Sequence, residues 1–392
     1  MRGALYLAGR YLASHPFKTA ILVASITLIL YLPGGLRVLV ARSERQITSR
    51  AEATPLLVGM KGSPLELALN SLYFSADVPE RATLAAADRV RDTGFAAAIP
   101  LYVRFRAGMD PIVGTSLDYF DFRKLRVAEG RLMTRLGDCV VGAAVAERRK
   151  LAPGGHVISS PESVFNLAGV YPLKMRVTGV LAPAGTPDDD AVFVDLPTAW
   201  VIEGLAHGHT DLSKPGAKGQ VLSRDGNVVV GNASVVEYTE ITDENVDSFH
   251  FHGDPAEFPV TAVIAVPIDE KAKTLLLGRY LDPAERQQIL KPETVVSELI
   301  DTVLTIQGFV VAALAVVGVA TLAVAALVFA LSLRLRRREI STLVKIGGSK
   351  RAVAAVVSSE IVAVLIAGAA LAAALTALTA HFGAGLARTL LG

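Results

Sequence analysis

Three long apolar stretches constrain this chain most strongly. They cover residues 19–40, 303–333 and 353–380, and each is long enough to cross a bilayer as a helix, which takes about 20 mostly apolar residues. The region between Arg42 and Asp301 contains no comparable stretch. The sequence therefore predicts an integral membrane α-helical protein with three transmembrane helices and a large α+β extracytoplasmic domain.

The first apolar stretch has two interpretations, a retained membrane anchor or a cleaved signal peptide. Its apolar run is long for a signal peptide, and Arg42, Arg45 and Arg50 follow it where a small-residue cleavage site would be expected. We therefore expect a retained anchor. Pro33 within it is tolerable, because neighbouring helices can satisfy the backbone around such a proline.

Basic residues near the membrane ends predict the orientation. The N-terminus carries Arg2, Arg10 and Lys18 without an acid, which places it in the cytoplasm, although Arg37 and Arg42 beyond the first span weakly oppose this. The loop between the second and third spans contains Glu339 as its one acid, against these cations: Arg334, Arg336, Arg337, Arg338, Lys345, Lys350 and Arg351. That loop is therefore predicted to be cytoplasmic, and the central domain and C-terminus to lie outside.

The predicted organisation has seven parts. In chain order they are a cytoplasmic amphipathic segment (1–17), the first transmembrane helix (18–41), the extracytoplasmic domain (42–301), the second transmembrane helix (302–333), a cytoplasmic loop (334–352), the third transmembrane helix (353–380) and a short outer tail (381–392). Helical patterns over 37–52 and 291–307 run into the spans without a break, which predicts a stiff stalk at each end of the outer domain.

The outer domain alternates short apolar runs with turn signals, a pattern typical of α+β folds. Helices are predicted over 79–93 and 198–205, and a mobile insertion over 211–232. Strands are predicted over 55–60, 102–108, 111–116, 139–146, 175–182, 191–196 and 261–268. The acidic run TPDDDA (186–191) favours a turn or helix cap over a cation site.

Motifs for an enzyme are missing from the sequence. There is no GxxxxGK[ST], GxSxG or HExxH pattern, so we expect no nucleotide bound directly and no catalysis by this chain. The single cysteine, Cys139, cannot form an intrachain disulfide and is expected to be a buried apolar residue.

The basic loop contains a short amphipathic helix by its spacing. In REISTLVKIGG the apolar residues Ile340, Leu343 and Ile346 recur on or near one face, and Gly347 is a typical residue for the end of the helix. A short cytoplasmic helix of this kind is suited to binding in the groove of a partner protein.

This loop resembles the signature of the FtsX/MacB family of ABC transporter permeases, and so does the order of anchor, outer domain and basic loop. Segments of the outer domain, 129–131, 138–146, 176–181 and 292–299, also resemble the family's periplasmic core domain. The matching loop residues, with Ile346 from the helix, would dock the ATPase: Arg338, Glu339, Ile340, Leu343, Ile346, Gly347, Lys350, Arg351 and Glu360.

The resemblance implies a bacterial inner-membrane permease that works with a separate cytoplasmic ABC ATPase, where ATP binds, and with a second permease chain. Movements of the outer domain would then drive export or extraction of a periplasmic substrate, with a periplasmic partner protein and membrane lipid as further contacts and no nucleic acid. Family members usually have four spans, whereas the 12 residues after 380 are too short for another crossing. For Glu360 two roles stay open, an ion pair with an arginine or an acid in the first turn of a helix.

Four of the seven histidines form two i, i+2 pairs, which are His207 with His209 and His250 with His252. Side chains at i and i+2 share a face of a strand, so each pair could chelate a divalent metal such as zinc. The alternative is a pair of polar loops in which Phe249 and Phe251 are the buried positions of a strand. Two other functions follow as alternatives, a metal-handling permease of the same fold and a membrane-anchored periplasmic binding or scaffold protein without an ATPase.

Overall fold

The computed structural model describes residues 2–161, 172–208, 221–225, 228–231, 239–335, 337–345 and 349–391. The chain divides into two compact units. The outer unit comprises residues 47–297, and the helical unit comprises residues 1–46 and 298–392.

Eleven α-helices lie within the described residues. They are α1 (Arg2–Ser14), α2 (Pro16–Glu52), α3 (Pro64–Tyr73), α4 (Ala85–Asp92), α5 (Asp118–Arg123), α6 (Ala143–Arg149), α7 (Leu196–Glu203), α8 (Glu270–Arg279), α9 (Pro292–Leu335), α10 (Arg337–Lys345) and α11 (Lys350–Leu391).

The strands of the described ranges belong to the outer unit. They are β1 (Leu56–Met60), β2 (Ala82–Thr83), β3 (Ala96–Ala107), β4 (Asp110–Thr115), β5 (Val127–Gly130), β6 (Asp138–Val141), β7 (His156–Ile158), β8 (Leu173–Leu181), β9 (Val192–Asp195), β10 (Ala206–Gly208), β11 (Val221–Asp225), β12 (Val228–Gly231), β13 (Thr239–Glu240), β14 (Phe249–Phe251), β15 (Pro259–Val260), β16 (Ala262–Pro267) and β17 (Gln287–Leu290).

Three helices of the described chain are long and apolar enough to cross a membrane. They cover Pro16–Glu52, Pro292–Leu335 and Val353–His381, which correspond to α2, α9 and most of α11. Within the helical unit, Leu22 and Ile26 of α2 pack with Val364 of α11. The short helix α1 packs against α11. These helices agree with the three apolar stretches of the sequence.

One mixed sheet organises the outer unit. Its strand order is β13-β8-β6-β9-β4-β3-β16-β1-β17, and β5 and β7 also pair with β8. The β13–β8, β6–β8 and β4–β9 pairs are parallel and the others antiparallel. Successive residues of β1 alternate between two apolar cores, because Leu56 and Val58 pack into the larger core and Leu57 into the smaller one on the other face. The sheet is therefore covered on both faces, as in a mixed α/β domain.

Two secondary-structure predictions are corrected by the structure. The strand predicted over 139–146 ends at Val141, and α6 begins at Ala143 with Gly142 as its N-cap. An apolar run of this length cannot be assigned to strand or helix by periodicity alone. The helix predicted over 79–93 is shorter, since β2 precedes α4.

The insertion predicted over 211–232 lies largely outside the described residues. Its described part contains β11 and β12, which pair as an antiparallel ribbon.

Candidate functional site

A short helix lies between the two C-terminal candidate spans. This helix, α10, has nine residues, and helical spacing places positions 340, 343 and 344 on one side of it. The Thr342 hydroxyl donates to the Arg338 carbonyl at 3.0 Å. The described side chains of α10 are exposed and polar: Arg337, Arg338, Ser341, Thr342 and Lys345. The helix therefore has an exposed polar side, and the sequence spacing puts its apolar positions on the opposite side.

Most of the predicted docking residues that the structure describes lie on α10 or in the first turn of α11. Four of them lie on α10: Arg338, Glu339, Ile340 and Leu343. Lys350 and Arg351 form the first residues of α11. Ile346 and Gly347 lie outside the described residues.

One of the two roles expected for Glu360 is wrong. Because α11 already begins at Lys350, Glu360 lies almost three turns into the helix. The favourable field of a helix N-terminus acts only within the first turn. Glu360 is 4% exposed, so it is a buried polar residue of the helical unit.

The described histidines of the two pairs lie on or next to a two-stranded ribbon, with His207 on β10, His250 on β14 and His252 directly after β14. The antiparallel register places His207 directly opposite His250. The rings of His250 and His252 are adjacent, with centroids 4.7 Å apart, and Nδ1 of His250 is 3.2 Å from the Ser248 carbonyl oxygen. His209 lies outside the described residues. The register thus brings one residue of each pair together.

The other face of this ribbon packs on the domain. Phe249 and Phe251 contact the larger apolar core, and the Phe251 ring lies 6.3 Å from the ring of Trp200. This agrees with the alternative interpretation of the sequence, in which Phe249 and Phe251 are the inward positions of a strand. Among the described residues, no group of three or more His, Cys, Asp or Glu side chains is arranged to hold a metal ion.

A buried ion pair that the sequence did not predict lies at the end of α2. Arg50, in the last turn of α2, forms two hydrogen bonds with the Asp188 carboxylate, at 2.6 and 2.9 Å. Tyr119 of α5 accepts from Arg50 at 2.8 Å and donates to Asp188 at 2.7 Å. Arg50 also donates to the Leu72 carbonyl at the end of α3. We refer to Arg50, Tyr119 and Asp188 as the anchor cluster.

Burial and charge oppose each other in the anchor cluster. The side chains of Arg50 and Asp188 are 4% and 1% exposed. Burial alone would raise the pKa of Asp188, but the charge and hydrogen bonds of Arg50, with hydrogen bonds from Tyr119 and Thr186, outweigh it and lower that pKa. Burial raises the pKa of the Tyr119 phenol. The cluster is therefore an ionised pair bridged by a neutral phenol.

About half of the chain matches a known protein family. Residues 19–215, slightly more than half of the chain, match the model of the MacB-like periplasmic core domain. The chain belongs to the MacB/FtsX-like family of ABC transporter permeases. Permeases of this family are membrane transport proteins of the inner membrane with a periplasmic domain, and they are typically not enzymes themselves.

Two solved structures resemble this permease. The periplasmic region of MacB from Actinobacillus actinomycetemcomitans is 13% identical, with a TM-score of 0.34, and the match covers 66% of this chain and 97% of that one. The extracellular domain of the noncanonic ABC-type transporter YknZ from Gram-positive bacteria is 15% identical, with a TM-score of 0.31, over 60% of this chain and 99% of that one. None of the curated proteins compared with the permease matches it.

Proposed function

We propose that this permease couples a separate cytoplasmic ABC ATPase to movements of its outer unit. The observation that carries the proposal is α10, a short amphipathic helix between α9 and α11 in the most basic loop of the chain. An apolar stripe on a helix outside the membrane spans needs a partner that covers it. The groove of a cytoplasmic ATPase is the partner that the family membership favours.

The proposed working unit contains two permease chains in a bacterial inner membrane, with α10 of each chain bound to one ATPase subunit. Glu339, Ile340, Leu343 and Ile346 would contact the ATPase, and the surrounding cations would contact acidic groups at the rim of its groove. ATP would bind to that partner. Nucleotide-driven closure would then move the outer units and thereby export or extract a periplasmic substrate, with a periplasmic protein as a further partner.

A charge placed in the apolar stripe tests this proposal. The L343D variant should lose the ATPase that co-purifies with the tagged chain from native membranes, because an unpaired carboxylate would have to be buried in the groove. The T342D variant adds the same charge to the polar side of α10, where Thr342 is exposed, and should retain the ATPase. Equal capture of a P-loop ATPase by both variants would contradict the assignment. Failure of the unmodified chain to capture any ATPase would favour the membrane-anchored scaffold instead.

We propose zinc handling by the β10–β14 ribbon as a second function. The observation that favours it is the register, which sets position 207 opposite His250, and the His250 ring lies 4.7 Å from that of His252. A neutral imidazole that donates through one nitrogen presents a lone pair on the other, so the Nδ1 contact of His250 with Ser248 suits metal binding through Nε2. His209 could complete the set of four ligands that zinc prefers.

Calorimetry of the full chain with zinc tests the second function. We expect about one zinc ion per chain, bound more weakly as the pH falls, because protonated imidazole cannot bind a metal. The H207A/H250A variant should lose this binding, while H156A, which changes a histidine on β7, should not. No binding at neutral pH, or equal binding by H207A/H250A, would exclude the ribbon as a zinc site.

A further inference from the structure

The end of α2 is held inside the outer unit by more than one element. Its last turns lie in that unit, which begins at Ile47. The Tyr73 hydroxyl donates to the Ile47 carbonyl, and Arg123 donates to the Thr54 hydroxyl at 2.9 Å, just beyond the helix end. Arg50 lies between these two contacts. The end of the helix is therefore held by polar contacts at three successive positions along the chain. The partners come from α3, α5 and the turn before β9.

The turn that carries Asp188 is itself fixed. It is the 3-10 helix Pro187–Asp190, and Asp189 accepts from the Ala184 and Gly185 amides at 2.8 and 2.7 Å. A Cβ atom at Gly142 would lie 2.2 Å from the Asp188 carbonyl oxygen, so the turn packs directly on the start of α6. Asp188 consequently has little freedom to follow a displaced arginine.

Directional contacts of this kind resist sliding and rotation in a way that apolar packing does not. Two parallel hydrogen bonds between a guanidinium and a carboxylate fix both distance and orientation. The Arg50 guanidinium also lies over the Phe74 ring, 5.5 Å from its centroid, which adds a face contact. A helix that moves along its axis, or turns about it, would have to break these bonds in a buried site.

We propose that Arg50, through Asp188 and Tyr119, is the positioning residue that fixes the end of α2 within the outer unit. This inference rests on the proposed function, since it assigns the point at which helix movement becomes domain movement. The helix α2 extends from Pro16 to Glu52 and contains Pro33, which cannot donate a backbone hydrogen bond. The 16 residues from Gly34 to Ser49 continue the helix up to Arg50, so a displacement of this stretch reaches Arg50 through helical backbone. Loss of the anchor cluster would leave the helix and the outer unit connected but no longer fixed to one another.

Spin-label distances on the full chain in lipid nanodiscs test this inference. One label is placed on the end of α2 by S49C and one on α8 by K271C, both at exposed positions of the outer unit. Labelled chain is diluted with unlabelled chain so that intrachain distances dominate. Cys139 is buried and its pKa is raised by burial, so it should not take up label. We expect a narrow distance distribution for the parent chain.

The R50M/D188L variant removes the ion pair without leaving one charge alone in the core, which preserves folding better than a single substitution. We expect the narrow distribution to be lost while the unfolding midpoint, followed by Trp200 fluorescence, stays close to that of the parent. The matched control is R176M/D138L, which removes another carboxylate that is 2% exposed and paired with an arginine at 2.8 Å. That control should keep the narrow distribution.

The R50K variant keeps the charge but lacks the bidentate geometry, so it should broaden the distribution less and serves if the double variant does not fold. A narrow distribution in R50M/D188L and R50K alike, or a broad one in the parent, would overturn the inference. Because these distances need no ATPase, they decide the role of Arg50 even if no ATPase binds α10. Loss of ATPase capture by the parent chain would instead overturn the proposed function alone.

Discussion

The two long helices that enter the outer unit are held there by different physics. The end of α2 carries the buried Arg50–Asp188 pair and its hydrogen bonds. The start of α9 carries no charge toward the core, since Val296 is fully buried and Val295 packs against the smaller apolar core. Apolar burial is non-directional, whereas the ion pair fixes an orientation. The difference indicates that the ion pair fixes the orientation of the end of α2 within the outer unit, whereas the start of α9 is held mainly by apolar burial.

The largest expected effect is that of removing half of the ion pair. Arg50→Ala would leave Asp188 ionised and unpaired in the core, and breaking a buried pair in this way costs about 3–5 kcal/mol of folding free energy. Denaturant unfolding followed by the fluorescence of Trp200, the single tryptophan of the chain, measures the loss. The control is Arg45→Ala, an exposed arginine on the same helix, which should change stability little. Equal stability of the two variants would show that the ion pair does not hold the end of α2, and would contradict the difference drawn between α2 and α9.

The sequence could predict α10 but not the anchor cluster, because α10 is encoded by neighbouring residues whereas the anchor cluster joins residues that are far apart in the chain. The amphipathic pattern of α10 lies within nine residues, and side-chain periodicity alone reports it. Arg50 and Asp188 are 138 positions apart, and only the packing of α2 against the turn before β9 brings them together. The prediction that 186–191 forms a turn is confirmed by the 3-10 helix there, yet it gave no indication of the arginine that Asp188 binds.

The pairing of distant strands and turns limits what the sequence can predict at the other sites in the same way. One of the two interpretations of this region made Phe249 and Phe251 the buried positions of a strand, and both are half-buried and pack against the larger core. No local pattern shows that β14 pairs with β10 at the register that sets His207 opposite His250. The boundary at Gly142 was missed because the apolar run continues through it, and the close approach of the Asp188 carbonyl that requires glycine there comes from a distant turn.

A smaller effect is expected at the start of α9. Val296→Ala deletes two buried methyl groups, and transfer of that area plus the cavity left behind costs about 2 kcal/mol. Glu298→Ala, at an exposed position two residues on, is the control and should be nearly neutral. The same unfolding measurement applies. In the spin-label experiment Val296→Ala should keep the distance from α2 to α8 narrow, because the anchor cluster contains no residue of α9. A broadened distribution in this variant would show that both helix ends set the register.

The smallest effect is expected from pH, and its sign follows from Asp188. The pKa of Asp188 is lowered in the folded chain, so the pair contributes its full stability above the unfolded value of about 3.9. That contribution is lost only as the pH falls through the lower, folded pKa. The difference in unfolding free energy between the parent and R50M/D188L should therefore stay constant from about pH 8 to pH 5, and shift in favour of the variant below about pH 4. All other carboxylates are common to both chains and cancel in the difference.

A change that already begins between neutral pH and about pH 5 would mean that Asp188 takes up a proton in the folded chain near its ordinary pKa or above it. Arg50 would then face a neutral acid, and the end of α2 would be held no more directionally than the start of α9.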